Sequence, residues 1–373
     1  MLAATAAYAA AAMVPGRARA ETPVAEAAQV SAEAARIYER AMVFDGNLIP
    51  PFQDKLPFPK ELLDMVPQSG VTAIKTSLGG FDNGFEDTVG QIGFSMRVFE
   101  AYPGTYLQVR RHADFARAKA EEKRMGVILS FESVEMLEGK VERIELFRGL
   151  GIRVMQLSYN KTSPFGTGVL GDPKLGLTEL GRKAVAEMNR LGVAIDISHS
   201  NQATATDVLK ASTLPVLVTH AGCAAVYDNP RNKPDAVLRA VADKGGVVGI
   251  YDLPYLAPSP KQPTLDDYMA HMTHALNICG EDHVGIGSDS ELAAWDTSPE
   301  AMAAFQKDEE DRRKAGVAAP GEDGRPLYVI GLNTPRRSEV IADALLKRGY
   351  KAGAVEKVLG RNFTDALGRI WVD

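Results

Sequence analysis

The sequence is poor in cysteine, with only Cys223 and Cys279 in 373 residues. That excludes a disulfide-rich scaffold and any zinc site built from cysteine alone. No block of Lys or Arg stands out and the formal charge is −6, which argues against nucleic acid as a partner. Past the first twenty residues no run is apolar enough to span a bilayer. Nor is there a repeat of solenoid length. Hydrophobic residues make up 45% and charged residues 24% of the chain, which are the proportions of a folded protein and not of a disordered one.

Residues 2–14 are nearly all Ala, with Leu, Met, Val, Thr and Tyr. The run is too short for a permanent membrane helix. Pro15 and Gly16 end it, and Ala18-Arg19-Ala20 reads as a small-residue cleavage site before Glu21. We read residues 1–20 as a secretory signal peptide, which implies a periplasmic or secreted protein. No basic residue precedes the apolar run, which is consistent with a translation start farther upstream. Residues 21–40 form an N-terminal helical segment, with an amphipathic Ala- and Glu-rich helix expected over 25–40.

From residue 41 to 373 short apolar runs alternate with helical stretches. The strand candidates are 41–45, 71–75, 127–131, 154–157, 193–197, 216–219, 247–251 and 284–286. They are rich in Val and Ile, as strands buried on both faces must be. Eight runs separated by helices predict an α/β fold, a single-domain (β/α)₈ TIM-like barrel. Thr178 is placed to cap a helix whose Leu180, Ala184, Val185, Met188 and Leu191 share one stripe, with Gly192 ending it. Asp235 starts another helix that runs to Gly245. Residues 293–325 are polar and read as an excursion from the barrel. Helices near 339–348 and 352–359 close the chain.

In such a barrel the chemistry sits where strands end and loops begin. The residues just past the runs are Asn47, Glu132, Tyr159, His199, His220 and Asp289. A carboxylate, two histidines and an aspartate therefore converge on one rim. Imidazole and carboxylate suit Zn²⁺, and an open coordination position lowers the pKa of bound water to near neutrality. Glu132 follows an apolar run, where an unpaired carboxylate would be costly to bury. His112, His271, His274 and His283 occupy no strand end and read as packing residues. Asp289, in Gly287-Ser288-Asp289, has an alternative use as a turn or helix cap.

The stretch from about Gly176 to Asp289 resembles the membrane dipeptidase (renal dipeptidase) family of zinc peptidases, on an amidohydrolase-like barrel. The similarity lies in Gly176-Leu177-Thr178-Glu179-Leu180-Gly181, Met188-Asn189-Arg190-Leu191-Gly192 and Asp196-Ile197-Ser198-His199. It continues in Arg231-Asn232-Lys233-Pro234-Asp235, His283-Val284-Gly285-Ile286-Gly287-Ser288-Asp289 and Val358-Leu359-Gly360-Arg361-Asn362-Phe363. Phe44-Asp45-Gly46 extends it weakly to the first strand. The resemblance implies a two-zinc hydrolase of dipeptides. It assigns Glu132 to the carboxylate bridging both metals, and His199 and His220 to the histidines of one metal. Asp289 takes the role of the aspartate that passes a proton to the leaving amine. Arg231 takes that of the arginine gripping the substrate carboxylate, for which a planar bidentate donor is suited; otherwise Arg231 is a surface residue beside the Asn229-Pro230 turn.

The departures are as informative. Where the family has Asp-Gly-His-Asn-Asp, whose His and final Asp bind the other zinc, this chain has Asp45-Gly46-Asn47-Leu48-Ile49. The family's histidine after the fourth strand is Tyr159, whose phenol can still donate to an oxyanion. Asp-Phe-Asp-Gly after the eighth strand has become Asp289-Ser290-Glu291-Leu292. One zinc is expected, on Glu132, His199 and His220, and the second site is lost. The expected protein is an exported metal-dependent hydrolase of a dipeptide or related small amide with a free carboxylate. It has no membrane span, and the family's habit of pairing points to a homodimer. The alternative is a repurposed barrel: a tailoring enzyme for an exported peptide-derived product, or a binding protein. In the barrel register Cys223 and Cys279 lie at opposite rims, so two free thiols are expected.

Overall fold

Val- and Ile-rich segments buried on both faces favour parallel strands covered by helices. The computed structural model describes residues 30–80, 83–120 and 124–371. The signal peptide expected over 1–20 and the start of the expected N-terminal helix lie outside the described residues. Eight parallel strands close into a single-domain, TIM-like barrel. They are β1 (Phe44–Asp45), β2 (Ala73–Leu78), β3 (Met125–Phe131), β4 (Ile152–Gln156), β5 (Ala194–Asp196), β6 (Val216–Ala221), β7 (Val248–Ile250) and β8 (Val284–Ile286). Each pairs with the next, and Asp45 of β1 pairs with Ile286 of β8 to close the ring.

Every expected strand is present; 284–286 keeps its bounds and the other seven shift at one or both ends. β2 does not stop at Lys75 but runs to Leu78, paired with β3 as far as Phe131. The extension is polar because it lines the mouth of the barrel: Ser77 Oγ lies 3.2 Å from Ser130 Oγ. His220 lies inside β6 and not past it, for the same reason. Three short strands have no counterpart in the sequence reading. Tyr106–Gln108 pairs with the first half of β3. Leu48–Ile49 and Ser290–Glu291 pair with each other, tying together the segments after β1 and β8.

Alternate strand residues face inward. Phe44, Ala73, Ile128, Val154, Ala194 and Leu217 form one cluster with Phe363, Leu367 and Ile370 of the C-terminal helix Asn362–Ile370. This helix plugs the floor of the barrel. Phe363 fits because the strands opposite are bare: a Cβ on Gly285 would meet its ring at 2.6 Å. Val127, Leu129, Met155 and Ile195, of opposite parity, pack in the outer core.

The helix over Glu179–Leu191 follows the sequence closely. Thr178 Oγ1 accepts from Gly181 N at 3.0 Å, and Gly192 ends the helix at φ 65°. Among the described residues the N-terminal helix spans Ala32–Arg40, and Ser31 caps it by accepting from Ala34 N. The helix expected from Asp235 spans Asp235–Asp243. The polar segment after residue 293 contains the helix Pro299–Lys314 and then returns to the rim. Asn160 Nδ2 donates to Val317 O at 3.0 Å and Asn229 Nδ2 to Pro320 O at 2.8 Å. Both cysteines are free and buried; Cys223 donates to His271 O and Cys279 to Leu238 O. Among the described residues, no helix is long and apolar enough to cross a membrane.

Candidate metal centre

Parallel strands deliver their C-terminal ends to one rim, so short polar side chains there can staple neighbours together. Asp196, at the end of β5, does this. Its Oδ1 accepts from Ser198 N at 3.0 Å and Thr219 N at 3.1 Å, and its Oδ2 accepts from Thr219 Oγ1 at 2.5 Å. With its hydrogen spent on Asp196, Thr219 Oγ1 accepts from His220 Nδ1, 2.9 Å away. Asn160 Oδ1 accepts from His199 Nδ1 at 2.7 Å. Both imidazoles are thereby fixed with the proton on Nδ1 and the lone pair on Nε2. Burial, reinforced by the Arg231 charge, holds both pKa values well below that of a free histidine.

The two Nε2 atoms face each other at 3.0 Å. Opposed lone pairs repel unless a cation lies against both. Glu132, after β3, completes the group: its carboxylate and both imidazole nitrogens lie within 4.8 Å of one another. Two neutral imidazoles oriented by outer partners, plus one carboxylate, are a donor set that fits zinc. The three residues the sequence assigned to one metal are brought together.

Asn47 and Asp289 stand beside this group. Asp45, buried at the end of β1, accepts from Asn47 N at 3.0 Å and Ser288 N at 2.9 Å, which holds the two loops side by side. Gly287 must be glycine, since a Cβ there would lie 1.7 Å from Thr219 O. Asp289 caps no helix: its backbone is left-handed (φ 57°) and its carboxylate points into the site. Asn47 Nδ2 donates to Asp289 Oδ1 at 2.6 Å and to Glu132 Oε1 at 2.7 Å. Asp289 Oδ2 is 4.0 Å from His220 Nε2. Burial, then the nearby Glu132 charge, pushes the Asp289 carboxyl up to about 7.

Arg231 is no surface residue, being 1% exposed. It donates to Ser198 O from Nη1 and to His199 Nε2 from Nη2, the latter at 3.1 Å. Tyr159 stacks on His199 with ring centroids 4.2 Å apart. Its hydroxyl is 3.5 Å from Arg312 Nη2. Burial pushes this phenol up to about 12, so it remains a donor. Arg312 comes from the polar segment and is locked to Glu322 through Nε at 2.8 Å and Nη2 at 2.9 Å. His271, His274 and His283 are spent elsewhere, hydrogen-bonded to Cys223 N, Asp235 and Gly246 O respectively. His112 packs edge-on against Phe115.

Sequence reasoning missed Asn160, Arg312 and Lys75. Asn160 and Arg312 carry no signal of their own in the sequence. Lys75 does: a lysine two residues from Ala73 in a buried strand shares its inward parity.

Comparisons with known proteins agree with this geometry. The chain is 26% identical over 287 residues to dipeptidase tcpJ of Claviceps purpurea, covering 76% of this chain and 60% of that protein. It is 31% identical over 206 residues to an uncharacterized dipeptidase of Schizosaccharomyces pombe, covering 54% of this chain and 50% of the relative. The chain thus spans about half to three-fifths of the length of these curated relatives. Among solved structures, an amidohydrolase from Pseudomonas aeruginosa superposes with a TM-score of 0.78 at 28% identity, covering 91% of this chain and 99% of that one. A Rhodobacter sphaeroides metallo peptidase, liganded with a phosphinate mimic of the dipeptide L-Ala-D-Ala, shares the fold with a TM-score of 0.70 at 21% identity over 89% of this chain and 99% of that one. The profile of the membrane dipeptidase family (peptidase family M19) matches residues 63–304, and the chain belongs to that family.

Proposed function

We propose that the protein is a metal-dependent hydrolase cleaving a dipeptide or a related small amide with a free carboxylate. The observation that carries the reading is the facing Nε2 pair of His199 and His220, 3.0 Å apart, with Glu132 beside it at the catalytic rim. These three residues would hold one zinc. Bound there, zinc supplies Lewis acidity toward a carbonyl oxygen and acidifies water. The other roles fall to the chain. Asp289, whose carboxyl is raised by burial and by the neighbouring Glu132 charge, is placed to take up a proton and pass it to the leaving amine. Arg231 keeps one N–H on Ser198 O, while its contact to His199 Nε2 would give way once that lone pair holds the metal, leaving the planar fork free to bind the substrate carboxylate. Tyr159 donates to the carbonyl oxygen as charge develops on it. The reading includes export, on the Ala-rich leader, to the periplasm or medium, and a homodimeric state.

The test is a dipeptide panel assayed with zinc-supplied protein. Cleavage that is lost in His199→Ala supports the reading; no cleavage of any member contradicts it. The second reading, a repurposed tailoring or binding barrel, is favoured by one observation: Asn47 is bonded to both carboxylates at the position where the family resemblance puts a zinc-binding histidine. A product-modifying activity without amide cleavage would support that alternative.

A further inference from the structure

Lys75 has no part in the hydrolase reading, yet it projects into the same cavity. It sits on β2 with the inward parity of Ala73 and Ser77, at 1% exposure. Taking an ammonium out of water is costly unless the protein answers its charge. Here two hydrogen bonds and two nearby carboxylates answer it. Nζ donates to Asn47 Oδ1 at 2.8 Å and to Ser77 Oγ at 3.1 Å. It lies 3.9 Å from Glu132 Oε1 and 4.0 Å from Asp196 Oδ2.

Lys75 also decides what Asn47 can do. An ammonium only donates, so the amide oxygen of Asn47 must face it. The amide NH₂ is then left for the carboxylates, and it binds both Glu132 and Asp289. Carboxylate oxygens on this side of the cavity are already held by donors, with a fixed positive charge behind them. A second divalent ion would have to displace Asn47 and then meet the ammonium at close range, where little water screens the repulsion.

We propose that Lys75, acting through Asn47, takes the place of a second metal ion, so that the centre holds a single metal and Glu132 is positioned by an organic cation. The proposal rests on the metal centre of the hydrolase reading. Lys75 is a positioning residue, since it reaches the centre through Asn47 and Glu132.

The test is zinc per chain by elemental analysis after equilibrium dialysis, for three full-length proteins. They are the wild type, Asn47→His/Ile49→Asp, and the same pair with Lys75→Met. The expected result is one zinc, one zinc and two. Restoring the ligand residues alone does not admit a second ion; removing the ammonium as well does. Should Lys75→Met fail to fold, as judged by its thermal unfolding, Lys75→Gln carries the same comparison. Two zinc ions in Asn47→His/Ile49→Asp with Lys75 in place overturn the proposal and leave the hydrolase reading standing. A single zinc in the Lys75-substituted variant also overturns it. No zinc in the wild type overturns the metal centre itself, and this proposal with it.

Discussion

His199 is the most constrained residue of the centre. Its Nδ1 is committed to Asn160, its ring face to Tyr159, and its Nε2 faces His220. Outer partners of metal-binding histidines set the tautomer and the ring angle, and losing one typically costs about 10–100-fold in metal affinity. Asn160→Ala is therefore expected to weaken zinc binding by about that factor in a chelator competition. Unchanged affinity would show that the ring is held by packing alone. This arrangement was legible in the sequence only in part. Glu132, His199 and His220 were visible because each follows an apolar run in the sequence. Asn160 was not, because its partner lies 39 residues away and only the folded rim brings the two together. Lys75 was overlooked because it closes an apolar run, where its long stem reads as a strand end and its inward parity goes unnoticed.

At the scale of elements, the polar segment after β8 behaves differently from its composition. A run rich in Ala, Glu, Asp and Gly reads as leaving the barrel, yet it lies on the catalytic rim. What composition could not reveal is that its charges are paired and buried: Arg312 and Glu322 are 6% and 6% exposed. Breaking such a pair from one side leaves an unpaired buried charge, so Glu322→Ala is expected to cost about 3–5 kcal/mol. A shift in the urea midpoint measures it, and an unshifted midpoint would mean that the segment contributes nothing to stability. Glu309 of the same helix is buried near Glu322. Burial first, and the Glu322 charge second, push its carboxyl from 4.5 up to about 7. The folded state then binds more protons than the unfolded state between those two values, so stability falls as pH rises across that window. Glu309→Gln removes the titration. The variant is expected to gain melting temperature relative to wild type at pH 8 and to lose that advantage near pH 5. An advantage independent of pH would contradict the assignment.

At the scale of the molecule, the eight strands were readable because burial on both faces leaves unbroken Val/Ile runs, each followed by a helix. The three short strands were not, since two- and three-residue pairings leave no periodicity to detect. The floor of the barrel was recognisable as a helix but not as a plug, because Phe363 enters a space made by residues scattered over the whole chain, Gly285 among them. Phe363→Ala is expected to cost about 3–5 kcal/mol in a denaturant titration, the usual range for emptying a packed aromatic site. Alkylation without reductant is expected to label both Cys223 and Cys279 after unfolding, as befits two free thiols. Failure of either to react would contradict the barrel register that separates them.

The central claim is a single-metal centre on Glu132, His199 and His220, in a cavity that already contains the ammonium of Lys75. It is tested most directly by elemental analysis of the wild-type protein, purified without chelators and measured again after zinc supplementation. The account predicts close to one zinc per chain in both preparations, falling to near zero in His199→Ala. Two zinc ions per chain after supplementation, or none, would contradict it.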